Sequence, residues 1–154
     1  MKRILSILVV SATLIGTAAA AQDRPNFVGT WKLAEPAQPD MYTPTQIVVA
    51  QDATLLTVTV TGQMGEFKTT YKLDGTVGSS PLDFQGTTIE RSTKATWSDN
   101  KVTLTSTSDM NGQTFEVKSV VTAGVEGTMI VETTFPDFQG GGGPITTKAT
   151  YKKP

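Results

Sequence analysis

Alternation of apolar and polar residues is the feature that most constrains how this chain can fold. Leu56, Val58 and Val60 alternate with threonines, and the same period of two recurs along most of the chain. Such alternation places every second side chain on one face of a β-strand. No segment keeps a helical period, and 25 of the residues after position 21 are threonine, which favours strands. The sequence therefore predicts an all-β fold.

Turn residues divide the chain into ten predicted strands. Asp74-Gly75 is the strongest hairpin signal, and three prolines make residues 34–44 a long loop. Because short turns join most strands, we expect an antiparallel up-and-down β-barrel of about 8–10 strands, with a β-sandwich as the alternative. The predicted strands are 27–33, 46–50, 54–61, 65–73, 76–78, 88–97, 102–108, 114–122, 128–135 and 145–152.

Connection lengths predict that the two ends of the barrel differ. If successive strands alternate in direction, the longer connections share one end, which we call the open end. These connections are 34–44, 62–65, 79–86, 109–112 and 136–143. The connections at the other, closed end contain no more than four residues each. They are 51–52, 74–75, 98–100 and 123–126.

One stretch of the chain occurs twice, as Asp83–Trp97 and Asp137–Tyr151. The two copies are identical at eight of fifteen positions, and both contain Asp-Phe-Gln-Gly followed by Thr-Lys-Ala-Thr. Repetition on this scale predicts an internal duplication of one supersecondary unit. It also predicts that Phe84 and Phe138 lie at the open end, where their rings either contact a ligand or cover the interior.

The N-terminal residues are typical of a signal peptide. Lys2-Arg3 precede an apolar run from Ile4 to Gly16, and Ala18–Ala20 supply the small residues of a cleavage site. We predict that residues 1–21 are cleaved and that 22–154 form a single domain in the periplasm or outside the cell. The apolar run is short for a bilayer span, and we expect no membrane span in the mature chain.

Missing residue types exclude several classes of function. The chain contains no cysteine and no histidine, so the commonest ligands of zinc, iron and copper are lacking, as are imidazole-assisted nucleophiles. The mature chain has 11 basic and 14 acidic residues, a net charge of −3, which argues against nucleic acid as a partner. No motif selects a catalytic pair. We therefore predict no enzyme, no metal site and no cofactor.

The first predicted strand resembles the opening strand of the calycin superfamily, which comprises the lipocalins and the fatty-acid-binding proteins. These families share Gly-x-Trp at this place, here Gly29-Thr30-Trp31, and Ala149–Lys153 is similar to the last strand of the fatty-acid-binding proteins. The chain also resembles small exported lipocalin-like proteins of bacteria. The resemblance implies a barrel with an apolar interior, closed at its bottom by Trp31.

Two features depart from the fatty-acid-binding proteins. The three prolines of residues 34–44 disfavour the helical lid of that family. The family also carries an arginine two residues before the final-strand tyrosine, where this chain has Ala149. The resemblance therefore carries over no fatty-acid anchor.

Arg91 is the charged residue that stands out on the presumed inward face. It is in phase with Ala95 and Trp97, and its counterpart in the second copy is Ile145. A lone arginine in an apolar cavity would bind a carboxylate or phosphate headgroup, whereas near the open end it could instead reach water. The aromatic residues expected around a ligand are Phe67, Tyr71, Trp97, Phe115, Phe135 and Tyr151.

Three functions are compatible with these observations. The first is a monomeric, exported lipocalin-like protein that binds a small apolar or amphipathic molecule inside the barrel. The second is a structural or protein-interaction barrel whose own side chains fill the interior. Only the first requires a cavity on the order of hundreds of cubic ångströms. A hydrolase, the third and weakest reading, would need clustered carboxylates in that cavity.

The signal peptide is testable by exporting the full-length chain from a bacterial host. We expect the exported protein to begin near residue 21 or 22, because the small residues that precede this point fit the cleavage site. Intact-mass measurement of the exported fraction checks this. A chain that keeps residues 1–21 in that fraction would contradict the prediction.

Overall fold

The structure is a computed structural model that describes residues 24–34, 40–137 and 141–154. The predicted signal peptide lies outside these residues. Within them the all-β class is confirmed, because the regular structure consists of twelve strands and one short 3-10 turn, Val125–Gly127. The strands are β1 Gly29–Leu33, β2 Gln46–Gln51, β3 Leu55–Gly62, β4 Gly65–Lys72, β5 Gly78–Ser79, β6 Leu82–Phe84, β7 Thr87–Ile89, β8 Arg91–Ser98, β9 Lys101–Met110, β10 Gln113–Ala123, β11 Thr128–Phe135 and β12 Ile145–Lys152.

Ten strands form one antiparallel sheet that curls into a nearly closed barrel. Their order is β4-β3-β2-β1-β12-β11-β10-β9-β8-β5, so the first and last long strands pair with each other. This pairing joins Lys32 to Lys152 and Leu33 to Tyr151. The predicted up-and-down barrel is therefore confirmed, and the sandwich alternative does not form.

The barrel is not closed by backbone pairing between β4 and β8. We call the gap between these strands the seam. Backbone groups of Thr70 face it, and side chains satisfy them: the Thr70 N–H donates to Ser80 Oγ at 3.1 Å, and Thr93 Oγ1 donates to the Thr70 carbonyl at 2.7 Å. An unpaired strand edge is an aggregation hazard, so these side-chain hydrogen bonds complete the barrel in place of a ladder.

The two sides of the seam approach each other closely at Gly78. A Cβ atom at this position would lie 3.2 Å from Thr93 Oγ1 and 3.4 Å from Lys72 Cγ. A side chain on the short strand β5 at this position, which pairs with Thr93 of β8, would therefore require the Thr93 or Lys72 side chain to shift by a few tenths of an ångström.

The hairpin predicted at Asp74-Gly75 is wrong in its pairing. The chain does turn there, with Gly75 at a φ of 79° and the Asp74 carboxylate accepting the Thr76 N–H at 2.9 Å. The following strand, β5, pairs with β8 instead of β4. Turn chemistry fixes the local reversal, whereas the partner strand is chosen by packing across the barrel.

The predicted loop 79–86 and the predicted strand 88–97 are also corrected. Leu82–Phe84 and Thr87–Ile89 form a separate two-stranded hairpin, β6–β7, and the chain breaks at Glu90 before β8 begins. The two turn residues, Gln85 and Gly86, have φ of 50° and 80°, the positive values that a tight hairpin of this kind requires. Gln-Gly is a weaker signal for such a turn than Asn-Gly or Asp-Gly, so the hairpin was not predicted.

Aromatic residues of the N-terminal segment cover the closed end. Phe27, predicted as strand, precedes β1 and stacks on Trp97 with a ring separation of 6.4 Å. The Trp31 indole N–H donates to the Phe27 carbonyl at 2.8 Å, and both rings are buried. Arg24 lies 5.3 Å above the Trp97 ring and donates to the Leu73 carbonyl, which ties this segment to the end of β4.

The seam predicts a specific loss of stability in Thr93→Val. The variant keeps the shape of a side chain that is 1% exposed but leaves the Thr70 carbonyl without its donor. We expect the free energy of unfolding in urea to fall by about 1–3 kcal/mol. The matched control is Thr96→Val, an exposed position on the same strand, where a change below about 0.5 kcal/mol is expected. Equal losses in both variants would contradict a role for the seam bond.

Candidate functional site

The barrel encloses a cavity of about 560 Å³. Its volume lies within the range of small-molecule sites, roughly 300–1,000 Å³. The wall formed by β2 and β3 consists of aliphatic side chains that point inward at alternate positions; we call it the aliphatic wall. Its members are Ile47, Val49, Leu56, Val58 and Val60.

The cavity reaches the surface at the open end. Met41, Met64 and Phe84 line it and are also exposed, at 52%, 47% and 40% of their surface. Two pairs of rings frame this mouth. Tyr42 lies 5.3 Å from Phe135, and Phe67 lies 6.3 Å from Phe84.

Loop segments on two sides of the barrel supply the mouth. Residues 41–44 reach it from the long connection after β1, and the hairpin β6–β7 contributes Leu82, Phe84 and Ile89. The Tyr151 hydroxyl donates to the Pro44 carbonyl at 2.9 Å and fixes the first segment to the barrel interior. The predicted position of Phe84 at the open end agrees with this geometry, although the residue lies in a strand.

Arg91 lies half-buried where the cavity meets the seam. Its Nε donates to the Ser80 carbonyl at 3.0 Å, and its Nη2 donates to Thr69 Oγ1 at 3.1 Å and to the Lys68 carbonyl at 3.3 Å. All three acceptors are neutral. The ion pair found among the described residues joins Lys148 to Glu132 on the outer surface, at 3.9 Å. Arg91 is therefore a partly desolvated cation without a carboxylate partner in the described part of the chain.

Burial shifts the pKa values of the two groups that meet at this point. Desolvation lowers the pKa of the Arg91 guanidinium, and the neighbouring Tyr71 partly opposes this effect. Desolvation raises the pKa of the Tyr71 phenol to about 12, while Arg91 and the Thr69 hydroxyl act in the opposite direction. An arginine remains charged at neutral pH even so, and the Tyr71 hydroxyl remains protonated.

Most of the aromatic residues predicted around a ligand line the cavity. Trp97 is the exception, because it packs behind Phe27 at the closed end, where its indole nitrogen is buried without a hydrogen-bond partner among the described residues. Phe138 lies outside the described residues. Those that line the cavity with Arg91 are Phe67, Tyr71, Phe84, Phe115, Phe135 and Tyr151.

The repeated aspartates organise their own loops. The Asp83 carboxylate accepts the Thr88 hydroxyl at 2.6 Å across the hairpin β6–β7. Asp137 Oδ2 accepts backbone N–H groups of Gly141 and Gly142, each at 2.6 Å, and of Gly143 at 3.2 Å. These bonds are turn chemistry, which agrees with the structural interpretation of the repeat.

Five serine and threonine hydroxyl groups that the sequence did not single out line the cavity from β9–β12. They lie opposite the aliphatic wall, and we call them the hydroxyl band. The signal was present, because each is in phase with an inward apolar residue of its own strand. The band comprises Ser106, Ser108, Ser119, Thr133 and Thr147.

Other classes of site find little support in the described residues. No group of three or more acidic side chains is arranged to hold a metal ion there. No helix in the same residues has the length and apolar character needed to cross a bilayer. The residues found to line the cavity include no aspartate or glutamate.

Comparison with known proteins assigns no family. No protein-family model matches the sequence, and no curated protein matches it significantly.

The raised pKa of Tyr71 predicts a loss of stability at alkaline pH. In the unfolded chain this phenol loses its proton near pH 10, whereas the folded chain holds it up to about 12. The folded state then binds more protons than the unfolded state, so the stability present below pH ~10 falls as the pH rises towards 12. We expect Tyr71→Phe to lose less unfolding free energy than the parent between about pH 8 and 11 in urea titrations. Equal losses would contradict the assignment.

Proposed function

We propose that this chain is an exported, monomeric lipocalin-like carrier that binds a small amphipathic anion inside the barrel. In this proposal the apolar body of the ligand lies against the aliphatic wall and its carboxylate or phosphate group contacts Arg91. The observation that carries the proposal is an open cavity of about 560 Å³ in which Arg91 is the single cation among the described lining residues.

The cavity supplies the driving force for binding the apolar body. Each CH₂ group transferred from water to an apolar environment contributes about 0.8 kcal/mol. A chain of a dozen carbons would thus gain about 10 kcal/mol, which is comparable with the loss of translational and rotational freedom, on the order of 4–15 kcal/mol. Most of the cavity lining is apolar, as this mode of binding requires.

Arg91 supports an anionic headgroup over a neutral one. Arg91 is half-buried, and the oxygen atoms to which it donates hydrogen bonds carry only partial charges. A guanidinium binds a carboxylate through two parallel hydrogen bonds, which are stronger than bonds to neutral oxygens. An anion would therefore recover part of the solvation that Arg91 loses on burial.

Carboxylates beside the mouth oppose such a ligand only weakly. Glu66 and Asp83 border a shallower groove that adjoins the mouth at Phe67 and Phe84, and both acidic residues are exposed. At physiological ionic strength the field of an exposed charge is screened over about 8 Å. A headgroup that contacts Arg91 inside the cavity is therefore attracted by Arg91 more strongly than it is repelled by the two exposed carboxylates.

The two other functions weighed from the sequence find less support. A barrel whose interior is filled by its own side chains would not contain a cavity of this size. A hydrolase would need paired carboxylates, and the residues found to line the cavity carry none. The proposal is accordingly of a binding protein without catalytic activity, cofactor or metal.

The proposed relation to the calycins rests on the barrel and on one residue. The barrel is compatible with that superfamily, and Trp31 is buried outside the cavity lining, as a residue that closes the bottom would be. The segment after β1 supplies Met41 and Tyr42 to the mouth in place of the helical lid of the fatty-acid-binding proteins.

Binding of hexadecanoate and hexadecanol by Arg91→Gln tests the proposal. We expect calorimetric titration to show hexadecanoate binding weakened at least about tenfold, because a charge-assisted hydrogen bond is lost. Binding of hexadecanol should change less than about twofold, since it depends on the apolar lining. The alcohol also reports whether the variant keeps its cavity, which matters because Arg91 bridges the seam.

Two controls accompany this measurement. Lys94→Gln removes an exposed, outward-facing cation from the same strand and should bind both probes as the parent does. Ala149→Phe places a ring in the cavity and should abolish binding of both. Failure of the parent to bind either probe, together with an empty protein in native mass spectrometry after purification, would refute the proposal.

A further inference from the structure

The two long walls of the cavity differ in polarity. The aliphatic wall on β2 and β3 contains no polar side chain, whereas every strand from β9 to β12 places at least one hydroxyl of the hydroxyl band on the cavity surface. A cavity that served only to bury an alkyl chain would gain nothing from hydroxyl groups, because each loses solvation when an apolar ligand covers it. The asymmetry therefore calls for a partner with polar groups on one side.

Cross-strand register makes the band continuous. Ser108 lies directly opposite Arg91 in the pairing of β8 and β9, and Ser106 is the next inward residue of β9. Ser119 lies opposite Thr133, and Thr133 lies opposite Thr147. Ser106 and Ser119 are diagonal neighbours on β9 and β10, about 7–8 Å apart. The band thus runs from the cation to the far strand without an apolar gap wider than one residue.

The hydrogen bonds within the band leave donors and acceptors for a ligand. The hydroxyl groups of Ser119 and Thr133 are bonded to each other at 2.9 Å, which uses one of their two protons and leaves the other available to a ligand. The hydroxyls of Ser106, Ser108 and Thr147 have no partner within the described part of the chain. Polar groups in this position are satisfied either by water or by a bound molecule.

From this arrangement we infer that the ligand is an amphipathic anion with one or more hydroxyl or carbonyl groups along one side of its apolar body. The inference rests on the proposed function and names the ligand chemistry within it. The anionic group contacts Arg91, the polar side of the body contacts the hydroxyl band, and the opposite side contacts the aliphatic wall.

Strand geometry sets the distance between Arg91, which contacts the anionic group, and Ser119 of the hydroxyl band. Ser119 lies opposite Leu104, four residues along β9 from Ser108, the residue opposite Arg91. At about 3.4 Å per residue this separation is roughly 14 Å along the strand. A ligand hydroxyl or carbonyl group that contacts the bonded Ser119–Thr133 pair is therefore distant from the anionic group that contacts Arg91.

The test compares hexadecanoate with 10-hydroxyhexadecanoate and 12-hydroxyhexadecanoate. We expect calorimetric titration to show that the full mature chain binds at least one hydroxylated acid about five- to tenfold more tightly, the value of one net hydrogen bond. In the double variant Ser119→Ala/Thr133→Val this preference should disappear, so that the hydroxylated acid and hexadecanoate bind with about equal affinity. The variant removes both members of a bonded pair, so neither hydroxyl is left without its partner and the fold is preserved.

An outward-facing pair of threonines supplies the matched control. Thr134 and Thr146 are also bonded hydroxyl to hydroxyl, at 3.0 Å, and they neighbour Thr133 and Thr147 on the opposite face of the same strands. The variant Thr134→Val/Thr146→Val should keep the full preference for the hydroxylated acid.

Failure of this inference is distinguishable from failure of the proposed function. Equal affinity of the parent for all three acids, with hexadecanoate still dependent on Arg91, would overturn the hydroxyl band as a ligand contact and leave the carrier proposal standing. A preference that survives in Ser119→Ala/Thr133→Val would also overturn it. Absence of binding by all three acids would refute the carrier itself.

Discussion

The seam between β4 and β8 is the constraint on which the rest of the structure depends. A barrel buries its apolar interior only if every strand edge is satisfied, yet no backbone ladder joins these two strands. Side-chain hydrogen bonds satisfy the free edge of β4 instead: Ser80 and Thr93 bond Thr70, Arg91 bonds Lys68, and Arg24 bonds Leu73 just beyond the strand.

Arg91 links the architecture to the proposed function. The same guanidinium bridges the seam and provides the positive charge of the cavity lining. Its hydrogen bonds to backbone and hydroxyl oxygens fix its orientation but do not neutralise its charge. Burial removes part of the water around this charge, which costs free energy of solvation. In the second copy of the repeat the corresponding residue is Ile145, which is exposed at the open end. The two copies of the repeat therefore differ in charge at this position, and Arg91 is the residue of the two that lies at the seam.

Sequence patterns predicted the fold far better than they predicted the site. Alternation in residues such as Leu56, Val58 and Val60 was sufficient for the class, the long strands and their inward faces, because a period of two has one structural meaning. The same reasoning assigned Phe67, Tyr71 and Tyr151 to the interior. It failed for Trp97, since being in phase does not say whether a ring near a strand end faces the cavity or packs under it. It also left out the hydroxyl band, because serine and threonine are common on strands in any orientation.

The sequence by itself determined an all-β chain, most of its turns and the side of each long strand that faces inward, because these depend on neighbours a few residues apart. Tertiary structure alone decided that β5 pairs with β8, that β6 and β7 form a separate hairpin, and that Arg91 reaches Lys68 across the seam. These contacts join residues distant in the chain, and their free energy comes from closing one particular barrel. No local sequence pattern predicts that closure, so the lining of the cavity, its mouth and the hydroxyl band follow only from the folded structure.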